Sequence, residues 1–441
     1  MMGTPKMPRI VHLGLGNFHR AHQAWYTAHS DGWNITGVIM SNHKLRDQLA
    51  AHDNKYVLGI WGKDGLRTET ISVYDDVLLA TDQPSDVIAK IADPQTQVVT
   101  LTVTEKGYYL RSEDGRLDLA SESIIRDLTC PEPRSAIGLL AAGLISRMDN
   151  GAGVLTVLSC DNLANNGCKL RQAMADYMTE KDPGSVEWLL KHVSFPNSMV
   201  DRITPKLTDA AVLEIANSAG QNAMPVVGTE AFSEWVIEDQ FSGARPEWDA
   251  AGAVFVKEVA PFEERKLRLL NSSHSFLAYA GQLAGHRFVH EAIADPTLLA
   301  GVNALWDEAA TTVSKPAADT LQQYRSALLD RFAVPELRHE LSQIAMDGSL
   351  KLRERLVPIL EFRADADLHS PHTCTAIAAW MEFVNKAVEA GINLDDPHAD
   401  QIADIVLNTR DVAQIWEKLA QLVGLSSKLL PQFLKCVTKS C

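Results

Sequence analysis

The sequence predicts an α/β domain with a mostly parallel sheet, followed by an all-helical domain. Three observations carry that reading. Short apolar runs of β type alternate with helix-length stretches in the first half. A glycine-rich turn follows the first run at once. Glycine then thins out: 20 of the 26 glycines precede residue 257, and 6 lie in the 185 residues after it, where even scatter would give about 11.

The elements follow in order. Ile10–Leu13 reads as the first strand, and Gly14-Leu15-Gly16-Asn17-Phe18-His19-Arg20 as the turn into a helix. Further strands are expected at Ile35–Met40, Val98–Val103 and Val154–Leu158, with a helix over Ser135–Arg147. Past the turn-rich Ser242-Gly243-Ala244-Arg245-Pro246, apolar residues recur at three and four over Pro261–Leu283, Pro316–Phe332, Thr375–Ala390 and Asp411–Leu422, each expected as a helix. The domains are placed at 1–256 and 257–441. Residues 428–441 show no strong helical pattern, so Cys436 and Cys441 are expected as exposed thiols in a frayed tail.

Composition narrows the function. At 441 residues with 46% hydrophobic and 22% charged residues, the chain supports two cores and is not a disordered one. Its net charge of −15 repels phosphate backbones and anionic lipids, which disfavours nucleic acid and membrane partners. A small anionic substrate stays open, because a pocket can be locally basic. No apolar run approaches a membrane span, and the N-terminus lacks the apolar stretch of a secretion signal. The six cysteines form no CxxC pair and read as reduced thiols, so the expected compartment is the cytoplasm. No feature sets an oligomeric state.

A G-x-G turn after a first strand lets backbone approach a pyrophosphate at a helix start. Here His19 stands at the third glycine position, so the turn fits either dinucleotide binding or an ordinary βα connection. Gly14, Gly16, Asn17, Phe18, His19 and Arg20 are the cofactor-binding candidates. His19 and His22 lack a nearby third ligand, so no metal is expected. The second strand is not followed by the acid that holds the NAD ribose; Lys44 and Arg46 come first, facing either a 2′-phosphate or solvent. NAD is the expected cofactor, with NADP open.

The segment Glu263-Glu264-Arg265-Lys266-Leu267-Arg268-Leu269-Leu270-Asn271-Ser272-Ser273-His274 is rich in chemistry. At about 100° per residue, Glu263, Lys266, Asn271 and His274 share a face of about 140° with Leu267 and Leu270. A desolvated ammonium there has its pKa drawn towards neutrality, as a lysine base requires. The same spacing also fits a surface Glu263–Lys266 pair above satisfied core polar groups. Polar clusters follow two other strands, at Thr104-Glu105-Lys106-Gly107-Tyr108-Tyr109 and Ser159-Cys160-Asp161-Asn162, where open α/β sheets bind ligands.

Together these segments resemble the mannitol dehydrogenase family of polyol- and uronate-specific long-chain dehydrogenases. The resemblance runs from about Arg9 to about Arg355 over GLGNFHRAHQAWYT, TVTEKGYY, SCDNLANNG, SFPNSMVDRITP, EWVIEDQF, KLRLLNSSHSFLAY and IAMDGSLKL. It implies a Rossmann-type N-terminal domain, a helical C-terminal domain and metal-independent chemistry. Its K-x4-N-x2-H triplet falls on Lys266, Asn271 and His274, its further asparagine on Asn162, and its proton-passage glutamate on Glu263. Asp201 falls where the family binds substrate hydroxyls.

Within the family, Lys106 in TEKGYY, the string from His274, and Leu337-Arg338-His339 with the segment through Lys351 look most like the fructuronate reductase (mannonate oxidoreductase) branch. Mannitol dehydrogenases tend to carry glycine at Lys106 and arginine at Gln343. A uronate carboxylate needs a cation, which makes Lys106, Arg338 and Lys351 the candidates. Arg338 alternatively pairs with Glu336 or Glu340 on a surface helix. SFPNSMVDRITP and HRFVHEA look as much like mannitol 2-dehydrogenases, and Glu230-Ala231-Phe232 departs from the usual E-P-F. A noncatalytic dinucleotide-binding protein would be expected to have lost the Lys–Asn–His set, which is intact.

Overall fold

The computed structural model describes residues 7–111, 113–221 and 224–437. The extreme N-terminus and Cys441, each part of a sequence expectation, lie outside the described residues. The chain divides into two compact units, Met1–Ala260 and Pro261–Cys441.

Among the described residues, twelve strands form the first unit's sheets: β1 (Arg9–Leu13), β2 (Asn34–Ile39), β3 (Tyr56–Gly62), β4 (Gly65–Ile71), β5 (Tyr74–Leu79), β6 (Thr96–Leu101), β7 (Leu155–Ser159), β8 (Val193–Ser194), β9 (Ser198–Asp201), β10 (Val226–Glu230), β11 (Glu234–Glu238) and β12 (Val254–Val256). The main sheet runs β5-β2-β1-β6-β7-β8 with every pairing parallel. Counted within the sheet, that is the order 3-2-1-4-5-6 of doubly wound dinucleotide-binding folds, with its switch point between β1 and β6.

Alternation along β1 explains why both faces are covered. Val11 and Leu13 join a core with Leu140, Leu144 and Met174 from the helices Ala136–Asp149 and Asn166–Lys181. Ile10 turns the other way, onto a core containing Ala21, Ala24, Tyr56 and Trp248. A parallel sheet buried on both faces is built from such near-continuous apolar strands. Two three-stranded sheets, β10-β3-β4 and β12-β11-β9, complete the unit.

Among the described residues of the second unit, the regular elements are helices, with one isolated bridge between Phe288 and Glu340. Two expectations need correction there. The single helix expected over Pro261–Leu283 is three segments: α-helix Ala260–Arg265, π-helix Lys266–Asn271 and α-helix Ser272–Leu283. As far as Val437 the tail is also not frayed. Leu430–Val437 is a helix whose Leu430, Phe433 and Val437 are buried, packed against the long helix Pro371–Glu389. Only three apolar residues at a spacing of three and four hold it, too short a pattern to read from sequence. Cys436 lies within it, half-buried beside Cys374.

Candidate active site

In the first unit, the glycine turn is fixed by its neighbours. Gly14 has φ +98°, and a Cβ there would sit 2.1 Å from the Thr102 carbonyl oxygen. Both Gly14 and Leu15 N–H donate to the Val38 carbonyl, and the Thr102 hydroxyl donates to the Gly14 carbonyl at 2.9 Å. Only glycine fits that position. Gly16 differs: it is extended, and a Cβ would meet nothing nearer than the Gly14 oxygen at 3.6 Å. The surface above Gly16 is therefore open, as close backbone approach to a pyrophosphate requires.

The following residues divide by exposure. Asn17 is exposed and Phe18 half-buried, whereas His19 and Arg20 are buried. The His19 imidazole stacks on His12 with ring centroids 3.3 Å apart, and burial followed by the His12 charge drives its pKa well down. Arg20 donates to Asn17 Oδ1 at 2.7 Å. What this turn presents at its surface is thus backbone, Asn17 and Phe18. After β2, Asn42 accepts from Leu45 N–H at 3.0 Å and starts the helix His43–Ala50. Lys44 is exposed on that helix, and Arg46 is held by Asp47 at 2.7 Å.

Two loops sit beside the turn, at the carboxyl ends of β6 and β7. Asp161 ties them together, accepting from Val103 N–H and Thr104 N–H at 2.9 Å each and from the Tyr108 hydroxyl at 2.7 Å. Those bonds hold Thr104 at φ +65°, a conformation a β-branched residue rarely adopts. Burial is the leading influence on the Asp161 carboxyl and raises its pKa despite the three donors. Asn166 pins the second loop, donating to the Asp161 carbonyl at 3.1 Å and the Ser198 carbonyl at 2.8 Å. Lys106 and Asn162 are exposed on these fixed loops. Asp201 is buried at the end of β9, opposite Glu234 of β11.

In the second unit, Lys266 opens the π-helix and Asn271 closes it. Ser272 N–H reaches the Leu267 carbonyl five residues back, the bond that defines a π turn. Residues five apart then return to nearly the same face, which draws Asn271 towards Lys266 more closely than an α-helical wheel allows. Lys266 and His274 are buried, Glu263 and Asn271 half-buried. His274 packs 4.8 Å from Phe332 and edge-on to His339 at 5.3 Å. Burial, then the charges of His339, Arg331, Arg355 and Lys351, keeps its pKa well below the usual imidazole value. Arg355 donates to Ser275 Oγ at 3.2 Å and to the Asn271 carbonyl at 3.4 Å. Lys351 is half-buried, donates to the Ile344 carbonyl at 3.3 Å, and has its pKa lowered by burial and then by Arg355.

One family model, the mannitol dehydrogenase Rossmann domain, matches residues 8–250, and another, the mannitol dehydrogenase C-terminal domain, matches residues 258–438. The chain belongs to the mannitol dehydrogenase family. It is therefore an oxidoreductase of a family that acts on CH–OH groups. It is 39% identical to the uncharacterized oxidoreductase YeiQ of Escherichia coli (strain K12), over 90% of this chain and 84% of that one. Identity to the D-mannonate oxidoreductase of the same organism is 37%, over 96% and 90%. The solved Pseudomonas fluorescens mannitol 2-dehydrogenase, in ternary complex with NAD and D-mannitol, superposes with a TM-score of 0.82 at 33% identity, covering 99% of this chain and 91% of its own.

Within this family member, the candidate residues fall into groups. Gly14, Gly16, Asn17, Phe18, Lys106 and Asn162 gather at the carboxyl ends of adjacent strands β1, β6 and β7. Lys266, Asn271, His274 and Lys351 gather in the second unit. Arg338 stands apart: it is an exposed left-handed residue lying over the Phe288 ring at 5.9 Å. It caps the short 3-10 helix Pro335–Leu337 rather than lying within a helix, and Glu340 pairs with Arg287 at 2.8 Å. Sequence reasoning missed Arg331, His339 and Arg355, the charged and polar neighbours of His274. Of these, Arg355 had a signal in the basic text of Lys351-Leu352-Arg353-Glu354-Arg355, which reads equally well as a solvated helix face.

Proposed function

We propose that this protein interconverts a secondary alcohol and a ketone of a linear sugar acid, D-mannonate and D-fructuronate, with NAD as cofactor. The glycine turn supports a dinucleotide, because Gly14 tolerates no Cβ and Gly16 leaves open surface. A bound nicotinamide would supply the hydride acceptor or donor. Lys266 serves as the general base in oxidation and the acid in reduction, and Glu263 passes the proton towards solvent. Asn162 and Asn271 donate hydrogen bonds to the substrate oxygen as it gains charge, favouring the transition state over the resting alcohol. His274, neutral, orients the hydroxyl, and Asp201 holds others. With no apolar membrane-crossing helix among the described residues, the cytoplasm is the compartment that suits such an enzyme.

One observation favours an acid over a neutral polyol. A chain of net charge −15 sets three cations, Arg331, Lys351 and Arg355, around the neutral His274. Such a cluster matches a carboxylate. Lys351 is one of those cations, whereas Arg338, next to His339 in the chain, is exposed over the Phe288 ring. The second reading, a mannitol 2-dehydrogenase acting on D-mannitol and D-fructose, is favoured by the 0.82 TM-score to that enzyme. Lys351→Met separates the two. The sugar-acid reading expects KM for D-fructuronate to rise about tenfold or more, with D-fructose reduction little changed. Equal losses on both substrates would return Lys351 to hydroxyl binding and remove the support for a uronate.

A further inference from the structure

We infer that Trp306 is a positioning residue for the reaction, holding the π turn that aligns Lys266 with Asn271. The inference rests on the roles proposed for those two residues. Trp306 lies on the helix Pro296–Ala310 and is fully buried. Its indole Nε1–H donates to the Leu269 carbonyl at 3.0 Å, in the middle of the π segment.

The physical problem is to keep a rare helical form from relaxing to the common one. In an α-helix the Leu269 carbonyl would accept from the N–H four residues on. Here the Ser272 N–H, three residues on, reaches it, and side chains converge on it as well. The Ser273 hydroxyl donates to it at 2.7 Å and the Ser272 hydroxyl at 3.3 Å, beside the Trp306 indole. Ser272 also donates to the Arg268 carbonyl, and Ser273 to the Leu270 carbonyl at 3.0 Å. Side chains that insert into the helical ladder in this way are a recognised cause of local distortion.

The two serines belong to the same helix and move with it. Trp306 is different, because its bond comes from a separate, packed helix and fixes the turn in the frame of the domain. It also reaches the third member of the set: Trp306 lies 6.4 Å from Phe332, whose ring stands 4.8 Å from His274. A buried indole N–H without an acceptor is costly, so a shift of the turn that carries the Leu269 carbonyl away from Trp306 is disfavoured. With the turn open, Lys266 and Asn271, five residues apart, present to the same side.

A double-mutant cycle tests this with steady-state rates and NADH titration. Trp306→Phe keeps most of the ring volume and deletes the N–H. The expected result is a fall in kcat of about tenfold or more, with NADH affinity unchanged. In an Asn271→Ala background the same change should cost less than about twofold, because no amide remains to misplace. Multiplying losses, or full turnover in Trp306→Phe while Asn271→Ala is impaired, would overturn the positioning role. Wild-type turnover in Asn271→Ala alone would instead overturn the catalytic reading, and this inference with it. Should Trp306→Phe fail to fold, Ser273→Ala removes a second donor to the same carbonyl from a small side chain, and its cycle with Asn271→Ala is read identically.

Discussion

A lysine can accept a proton only while it is uncharged, and a buried position disfavours its charged form. Lys266 is buried on the π-helix, which is the environment the proposed base requires. Lys266→Ala is expected to lower turnover by about 10²–10⁴-fold while NADH affinity, read by fluorescence titration, stays close to wild type; near-normal turnover would end the assignment. The histidines make a second prediction. His12 is pushed down to about 3 and His339 to about 4, each chiefly by burial, and His19 and His274 also lie well below 6.5. Their folded pKa values are below the unfolded one, so the stability they allow is whole above about pH 6.5 and is lost as pH falls towards 4. Tm should therefore drop from pH 7 to pH 5, at up to about 1.4 kcal/mol per pH unit for each fully buried imidazole. His12→Asn should make that slope shallower by about one proton, and an unchanged slope would show that His12 protonates in place. At this scale the Lys–Asn–His triplet was named through the family resemblance, because its spacing alone also fits a surface ion pair above satisfied core polar groups. The sequence was silent on Arg331, His339 and Arg355, whose relation to His274 arises only when separate helices pack.

Elements show the same division. The first strand and its glycine turn were readable because local sterics set them, and the structure puts Gly14 at a φ no other residue favours. This gives a paired prediction. Gly14→Ala, driven into the Thr102 carbonyl, should lower Tm as well as NADH binding. Gly16→Ala has room for its methyl in the protein, so it should fold with wild-type Tm yet weaken NADH binding by about tenfold, because the methyl occupies the open surface proposed for the pyrophosphate. Unchanged NADH affinity in Gly16→Ala would place the cofactor elsewhere. The π turn was not readable, since the periodicity of Pro261–Leu283 passes for one α-helix and the deviation depends on Ser272, Ser273 and a tryptophan 37 residues beyond Leu269. Strands β4 and β5 escaped notice for a related reason: their polar, part-exposed faces dilute the apolar runs.

For the molecule as a whole, the parallel order β5-β2-β1-β6-β7-β8 brings the ends of β1, β6 and β7 side by side, so that segments about 90 and 145 residues from the glycine turn in sequence become its neighbours. Net charge works at the same scale. An acidic surface repels a uronate at long range, while the cations about His274 attract it locally. Added salt screens the exposed surface more than the buried cluster, so kcat/KM for a sugar acid should hold steady or rise between 0.01 and 0.15 M ionic strength, roughly the range over which the Debye length shrinks from 30 to 8 Å. A steep fall would assign the attraction to exposed charges instead. The central claim, a sugar-acid oxidoreductase, is tested most directly by initial rates of NADH and NADPH oxidation with D-fructuronate and D-fructose in parallel. The expected result is fast NADH-dependent reduction of D-fructuronate with little activity on D-fructose. Preference for D-fructose would contradict it and make this a mannitol-type enzyme, and preference for NADPH would contradict the cofactor and turn attention to Lys44 and Arg46.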